Sequence, residues 1–443
     1  MRAPAQLTRR PWLSSQADRW TLGVVLALVA AAALAGAVLG WMGRPVRASA
    51  APLFGHVLPH AGPGTPAAVA VAVTVICWGP RLAGQLPWRR LLAAAWATSV
   101  AWTFALALVD GWQRGVAGRL TTRFEYLAEV PGVTDVPAMV RGFAGRIVEG
   151  GADPWTTHVA GHPPGALLVF VGLDRLGLGG GAWAATLCVL AGCAAVVAVA
   201  VTVRAVGDER DARAALPFLV LFPGAVWIGV SADGLFAGAA AGAVALLAVG
   251  LARASRWAVA AGGAALAACA YLSYGLILLA VPALALMWLF RDRLRLLCWA
   301  VPAAAAVVAT MTLLGFAWWD GYHLVRQRYY QGLASERPYA YWIWANLAAL
   351  AVCAGPAAAV VLRRAVACAR HCRVALLVLA WAAAALAADL SGLSKAEVER
   401  IWLPFAIWLP AAAVLLPHRD RRAWLGVQAG TALLVNHLVL TAW

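Results

Sequence analysis

The chain alternates long apolar stretches with short arginine-rich connectors, and this pattern recurs along its whole length. A membrane crossing needs about 20 mostly apolar residues, because a bilayer core is ~30 Å thick and a helix rises ~1.5 Å per residue. Candidate crossings fall at 20–42, 64–80, 91–109, 163–178, 182–203, 214–230, 234–251, 257–290, 294–317, 340–362, 374–389, 401–416 and 423–441. The stretch 257–290 has the length for one tilted helix or two short ones. Backbone polar groups in hydrocarbon must bond within their own segment, so the expected fold is all-α. A polytopic integral membrane protein with about thirteen transmembrane helices is expected.

The composition agrees with this reading. Hydrophobic residues make up 63% of the chain and charged residues 12%. A soluble chain carries about a quarter charged residues to cover its surface. A soluble enzyme, a disordered chain and a free nucleic-acid binder are therefore excluded. The net charge of +16 lies mostly in arginines that flank apolar stretches, as charge flanks membrane spans. The expected partner is the bilayer, with no nucleic acid. Six of the eight cysteines lie in apolar stretches and read as small hydrophobes. Cys368 and Cys372 flank His371, but no second ligand pair accompanies them, so no zinc site is read there.

Residues 20–42 are apolar for longer than the core of a signal peptide, and no small-residue cleavage site follows. They read as a first membrane helix behind a basic tail of Arg2, Arg9, Arg10 and Arg19. Basic connectors mark the cytoplasmic side, here Arg81–Arg90, Arg291–Arg295, Arg363–Arg373 and Arg419–Arg422. Segments 110–162, 318–339 and 390–400 are then outside. Between residue 163 and Arg291 the number of passes must be odd. If 257–290 is two spans, another candidate in the middle does not cross. By this count Asp233 falls on the cytoplasmic side. The chain divides into 1–90 (tail and two extra helices), 91–317 (a core with outer loop 110–162) and 318–443 (outer loop 318–339 and the last helices).

Chemistry is expected where the outer segments meet. Asp110 ends the span 91–109, followed by Gly111, which allows a sharp turn. It is a helix cap or a general base. In the first outer loop, 121–130 reads as a helix capped by Thr121 or Thr122. Residues 135–149 read as an amphipathic helix capped by Asp135, with Val136, Met139, Val140, Phe143 and Ile147 on one face. Both are expected in the membrane interface. His162 precedes Pro163 and Pro164, which suit a first helical turn. At a helix's positive end its imidazole is expected to stay neutral. In 318–339, Arg326 and Arg328 lie among aromatic residues and are the phosphate candidates, because guanidinium forks hold phosphates bidentately. In 390–400, Ser394 and Glu397 form a capping-box pattern. Arg400 can pair with Glu397 at i,i+3, or Arg400 and Lys395 can face a cavity.

A span ending in Asp110, an outer loop with two interfacial helices, and His162-Pro163-Pro164 opening the next span together resemble the GT-C superfamily. These are polytopic glycosyltransferases that use polyprenyl-phosphate sugars. The layout is most similar to the branch with protein O-mannosyltransferases and aminoarabinose lipid A transferases, over roughly 91–290. Two features depart from it. The acidic loop follows the third span instead of the first, and Asp110 stands alone, with Glu125 and Glu129 further on.

The resemblance implies sugar transfer from a polyprenyl-phosphate donor to a cell-envelope glycan, lipid or protein on the outer face of the plasma membrane, with inversion. Asp110, or Glu125, would be the base. His162 would orient it or the substrate. Arg400, Arg326 or Arg328, with Lys395 and Glu397 nearby, would meet the leaving phosphate. A Lys-x-Glu-x-x-Arg before a late span resembles bacterial relatives, as does an acid at the start of a span, here Asp233. A divalent metal, Mg or Mn, would be the cofactor if one is used. The alternative is a multi-span transporter or flippase for a lipid-linked or small substrate. The lack of a visible internal repeat argues against it, and no P-loop or dinucleotide fingerprint occurs.

Overall fold

The computed structural model describes residues 15–442 and is almost entirely helical. Of the expected basic tail, Arg2, Arg9 and Arg10 lie outside the described residues. Seven helical stretches are long and apolar enough to cross a membrane: Gln16–Trp41, Thr65–Gln85, Trp88–Asp110, Gly181–Val206, Ala232–Arg253, Arg291–Leu313 and Arg373–Leu390. The protein is therefore membrane-embedded.

In chain order the helices used below are α1 (Ser15–Trp41), α2 (Thr65–Gln85), α3 (Trp88–Ala107), α4 (Val136–Gly142), α5 (Pro164–Arg175), α6 (Gly181–Val206), α7 (Glu209–Val220), α8 (Ala232–Arg253) and α9 (Arg256–Ala270). They continue as α10 (Ala280–Leu289), α11 (Leu297–Leu313), α12 (Trp318–Gln331), α13 (Tyr339–Ala354), α14 (Pro356–Cys368), α15 (Arg373–Leu390), α16 (Val398–Ile401) and α17 (Arg421–Leu438). The two strands, Gly55–Val57 and Val439–Thr441, pair antiparallel.

The other apolar stretches fold differently from the expectation. Residues 257–290 break at Tyr271–Ser273, giving α9 and a second helical run through α10. Residues 340–362 form α13 and α14, which meet at 104°. Gly355 makes that corner with φ +84, and Pro356 starts the next helix, where its missing N–H is not needed.

Residues 163–178 form only the twelve-residue α5, about 18 Å long. Both its ends lie in one layer. Gly165 packs against the Tyr271 carbonyl, and Arg175 Nη2 donates to the carbonyls of Val133 and Thr134 at 3.3 and 3.1 Å. The helix is too short to reach the other side. This moves Asp233: α8 begins at the same end of the bundle as the 108–163 loop, not the opposite end that the charge count gave.

The outer-loop helices are also partly revised. Asp135 does cap α4, its carboxylate accepting from the Ala138 N–H at 3.0 Å. Val140, Phe143 and Ile147 are fully buried against the protein itself. Residues 121–130 form no single helix, only 3-10 turns at Arg119–Thr121, Tyr126–Ala128 and Val130–Gly132.

The bundle is centred on α6 and α8, whereas α1 and the span 291–313 are peripheral: the most apolar window of α8 is 61% buried and that of 291–313 only 6%. Small residues let α6 and α8 approach closely, as is usual between helices in lipid. A Cβ on Gly238 would sit 2.0 Å from the Ala191 carbonyl oxygen.

The end opposite the 108–163 loop is closed by arginines that donate to carbonyls at helix C-termini. Arg213 reaches Ala83 and Leu86 at 2.6 and 2.9 Å, Arg293 reaches Leu251 at 2.6 Å, and Arg373 reaches Leu289 at 2.8 Å. Last-turn carbonyls lack intrahelical donors, and a cation there also meets the negative end of the helix dipole.

Gly238→Ala is expected to lower stability by about 1–3 kcal/mol through overpacking. Gly242→Ala, where nothing lies within 4 Å, should be near neutral. Thermal unfolding in detergent compares the two, and equal midpoints would refute close α6–α8 contact.

Candidate functional site

The end bearing the 108–163 loop holds two separate polar networks. The first is built on Asp110. A 3-10 turn, Leu108–Asp110, ends α3, and Gly111 then turns with φ +77. Asp110 Oδ2 accepts from Arg119 Nη2 at 2.7 Å, and Oδ1 lies 3.0 Å from His60 Nε2. Arg114 stands 3.8 Å away. Arg119 also donates to the Thr441 carbonyl at 3.1 Å, and the His60 N–H to the His437 carbonyl at 2.8 Å. Asp110 thus fastens the first loop to the 55–65 segment and to the C-terminal strand. Burial lowers the Arg119 pKa to about 10, against the pull of Asp110. Both carboxylate oxygens are engaged, which is the arrangement of a tie and not of a free base.

The second network gathers Asp233 and Glu397, with Glu125 of the first loop nearby. Arg400 Nη1 donates to Asp233 Oδ2 at 2.6 Å, and its Nη2 to Glu397 Oε2 at 3.0 Å. Arg337 Nη2 donates to Glu397 Oε1 at 2.8 Å, and its Nη1 to the Lys395 carbonyl at 2.7 Å. Asp233 opens α8, where an anion suits the helix's positive end. The expected i,i+3 pair of Glu397 and Arg400 is present, but the capping box is not.

Ala396 and Glu397 instead both adopt left-handed backbone, φ +67 and +63, which costs roughly 1–2 kcal/mol per residue. Contacts hold them there: the two arginines on Glu397, and Asn346, whose Oδ1 accepts from the Ala396 N–H at 3.3 Å. Asn346 Nδ2 donates to the Ser394 carbonyl at 2.7 Å and to Asp389 Oδ1 at 2.8 Å. Burial opposes charge on Arg400, but Asp233, Glu397 and Glu125 outweigh it and raise its pKa. Burial likewise opposes charge on Glu397, and Arg337 and Arg400 lower its pKa.

Glu125 and His162 join this network from the first loop. His158 Nδ1 lies 2.9 Å from Glu125 Oε2. His162 Nδ1 lies 2.8 Å from both the Tyr126 hydroxyl and the His158 carbonyl. A carbonyl only accepts, so the tautomer that suits it carries its proton on Nδ1. Nε2 is then a bare acceptor, and it has no hydrogen-bond partner among the described residues. Burial lowers the His162 pKa to about 4, partly offset by Asp233. Burial, then Asp233 and Glu125, raise that of Tyr126. Desolvation, and not the helix end, is the main cause that favours a neutral His162.

Lys395 differs from the two arginines. It is 7% exposed, and its Nζ lies 5.1 Å from the Tyr330 ring. No carboxylate pairs with it among the described residues. Beside the network is a cavity of about 40 Å³, bounded by Asp233, Phe236, Ser273, Ser394 and Trp402. That is room for a few waters and not for a sugar.

Arg326 and Arg328 are not part of this network. Arg328 is ion-paired to Glu149 of the first loop, and Arg326 is exposed. The inner side of α12 is occupied instead by Trp318, whose ring stacks on Tyr322 at 5.4 Å, and by Tyr329, whose hydroxyl accepts from the Lys395 N–H at 2.8 Å.

Sequence reasoning missed Tyr126, His158, Arg337 and Asn346. The one-turn spacing of His158 and His162 was a usable signal. So was an asparagine inside an apolar helix, since intramembrane polar groups are costly. Among the described residues no three His, Cys, Asp or Glu side chains are grouped to hold a metal. Asp233 and Glu397 face arginines, Glu125 faces a histidine and Asp389 accepts from Asn346, so the residues present do not fit the divalent ion considered from the resemblance.

No protein-family model, curated protein or solved structure matches this chain.

Asp110→Asn should destabilise the protein by about 3–5 kcal/mol, because it leaves Arg119 buried without a counter-charge. Adding Arg119→Met should restore much of the loss. Thermal midpoints of the two single variants and the double variant test this, and additive losses would rule out the tie.

Proposed function

We propose that the protein is a membrane glycosyltransferase. It would move a sugar from a polyprenyl-phosphate donor to a cell-envelope acceptor, at the extracytoplasmic face of the plasma membrane. The observation that carries this reading is the second network: a neutral histidine with an open Nε2, and a lysine with no carboxylate, at one end of a membrane bundle. Sugar transfer from a lipid phosphate needs both a base and a cation. The arginine-rich opposite end is the cytoplasmic one by the positive-inside rule, which makes the network end the outer one.

In the reaction, His162 Nε2 takes the proton of the acceptor hydroxyl. The acceptor oxygen bonds to the anomeric carbon as the bond from that carbon to the phosphate oxygen breaks. Its electron pair leaves on the polyprenyl phosphate, and a single displacement inverts the centre. The Tyr126 hydroxyl and the His158 carbonyl fix the imidazole, leaving Nε2 toward substrate. Lys395 meets the charge developing on the phosphate. Arg400, already held by two carboxylates, positions Asp233 and Glu397. Asp110 has the role of a structural tie in this scheme. The resting cavity is smaller than a sugar, so the 390–402 segment, which carries the strained pair, shifts when the donor enters.

His162→Gln should lower transfer at least 100-fold without loss of folding, the usual range for a lost general base. The wild-type acid limb should lie near pH 4 instead of 6.5, because the base works when neutral and burial lowers its pKa to about 4. Lys395→Met should raise the donor KM about tenfold while leaving the pH profile in place. The assay is release of polyprenyl phosphate from a panel of polyprenyl-phosphate sugars by purified protein with envelope glycans. Uptake of the intact lipid-linked sugar across vesicles, with no phosphate released, would identify a transporter instead.

A further inference from the structure

At the end opposite the proposed reaction site, a cleft of about 660 Å³ opens between the last turn of α2, the first turn of α7 and the start of α17. Six arginines line it, Arg81, Arg210, Arg213, Arg419, Arg421 and Arg422, with Glu209 as the one carboxylate in its lining. Two of the six are committed to the protein. Arg213 is bound to Glu209 and to the carbonyls of Ala83 and Leu86. Arg421 donates to the carbonyls of Leu416 and Val414 at 3.2 and 2.9 Å. Arg419 is exposed and stands 3.8 Å from Asp420.

Arg81, Arg210 and Arg422 are exposed and have no ion pair or hydrogen bond among the described residues. Burial and then Arg210 lower the Arg421 pKa, partly offset by Asp211. The back wall is apolar, formed by Pro80, Ala83, Ala214, Pro217 and Phe218.

We propose that this cleft binds the headgroup of an anionic phospholipid from the adjoining leaflet. Three features select such a lipid over other anions. The cleft lies at the C-terminal end of a membrane helix, at headgroup depth. Its rim offers unpaired guanidiniums, which hold phosphate oxygens bidentately. Its inner wall is apolar, which suits glycerol and the first acyl carbons and gives a soluble phosphate nothing to bury. A basic pocket between membrane helices is a recurrent way of selecting anionic lipids. The site does not depend on the glycosyl-transfer reading, only on the protein being membrane-embedded.

The test uses the full chain in phosphatidylcholine nanodiscs containing a small fraction of diphosphatidylglycerol. Native mass spectrometry counts the anionic lipids retained after detergent washing. The wild type should keep one per chain. Arg81→Gln with Arg210→Gln and Arg422→Gln should weaken retention roughly a hundredfold, at about fivefold per arginine. A charge-matched control, Arg256→Gln with Arg291→Gln and Arg295→Gln, removes three exposed arginines from the same end outside the cleft and should retain lipid like the wild type. Thermal unfolding shows that each variant is folded. Equal loss in the control would mean only a general surface attraction, and full retention in the cleft variant would place the lipid elsewhere. Either overturns the proposal. So does stabilisation by inorganic diphosphate in lipid-free detergent at concentrations where the anionic lipid gives none, which would make the ligand a soluble phosphate.

Discussion

Burying a guanidinium in a membrane protein forces the structure around it. Arg400 is 7% exposed, and removing such a charge from water costs several kcal/mol unless opposite charges and hydrogen bonds surround it. Its two Nη atoms bind Asp233 and Glu397. That single requirement draws three distant parts of the chain together: the start of α8, the 394–401 segment and, through Arg337, the loop before α13. The left-handed pair at Ala396 and Glu397 is a consequence. Glu397 reaches both arginines only if the backbone turns there, and the arginines and Asn346 hold it in that turn.

The two networks at this end differ in how fully their groups are paired. Asp110 is saturated by Arg119 and His60, and its bonds run outward to the C-terminal strand. In the second network His162 Nε2 has no hydrogen-bond partner and Lys395 no carboxylate among the described residues. Desolvation sets the state of both. It lowers the His162 pKa and, with Arg337, that of Lys395. The opposite end uses its arginines differently. Several donate to carbonyls at helix C-termini, Arg363 and Arg364 pair with Asp18, and Arg81, Arg210 and Arg422 are exposed around a cleft.

Much of the site was readable as residue types and little of it as geometry. Arg400, Glu397, Lys395, His162 and Glu125 were all identifiable because polar residues near spans are costly and hence few. Asp110 was just as conspicuous, yet the structure gives it two strong partners. One of them, His60, lies 50 residues away, and no local spacing reveals it. Arg326 and Arg328 sit in the right loop but on faces of α12 turned from the network. Asp233 was displaced by one miscounted crossing, since α5 is apolar and yet only about 18 Å long.

The sequence by itself determined that the chain enters a membrane, that it is helical, and where its most regular spans lie. Those properties follow from composition and length, because the bilayer's thickness and its lack of hydrogen-bonding partners act on each segment alone. It also determined local capping, such as Asp135 on α4. Only the tertiary structure decided which apolar stretches break, on which end Asp233 falls, and which of several carboxylates is tied and which histidine is left open. These depend on partners that lie tens to hundreds of residues apart. The energy that fixes them is desolvation and ion pairing in a shared interior, which no single stretch of sequence contains.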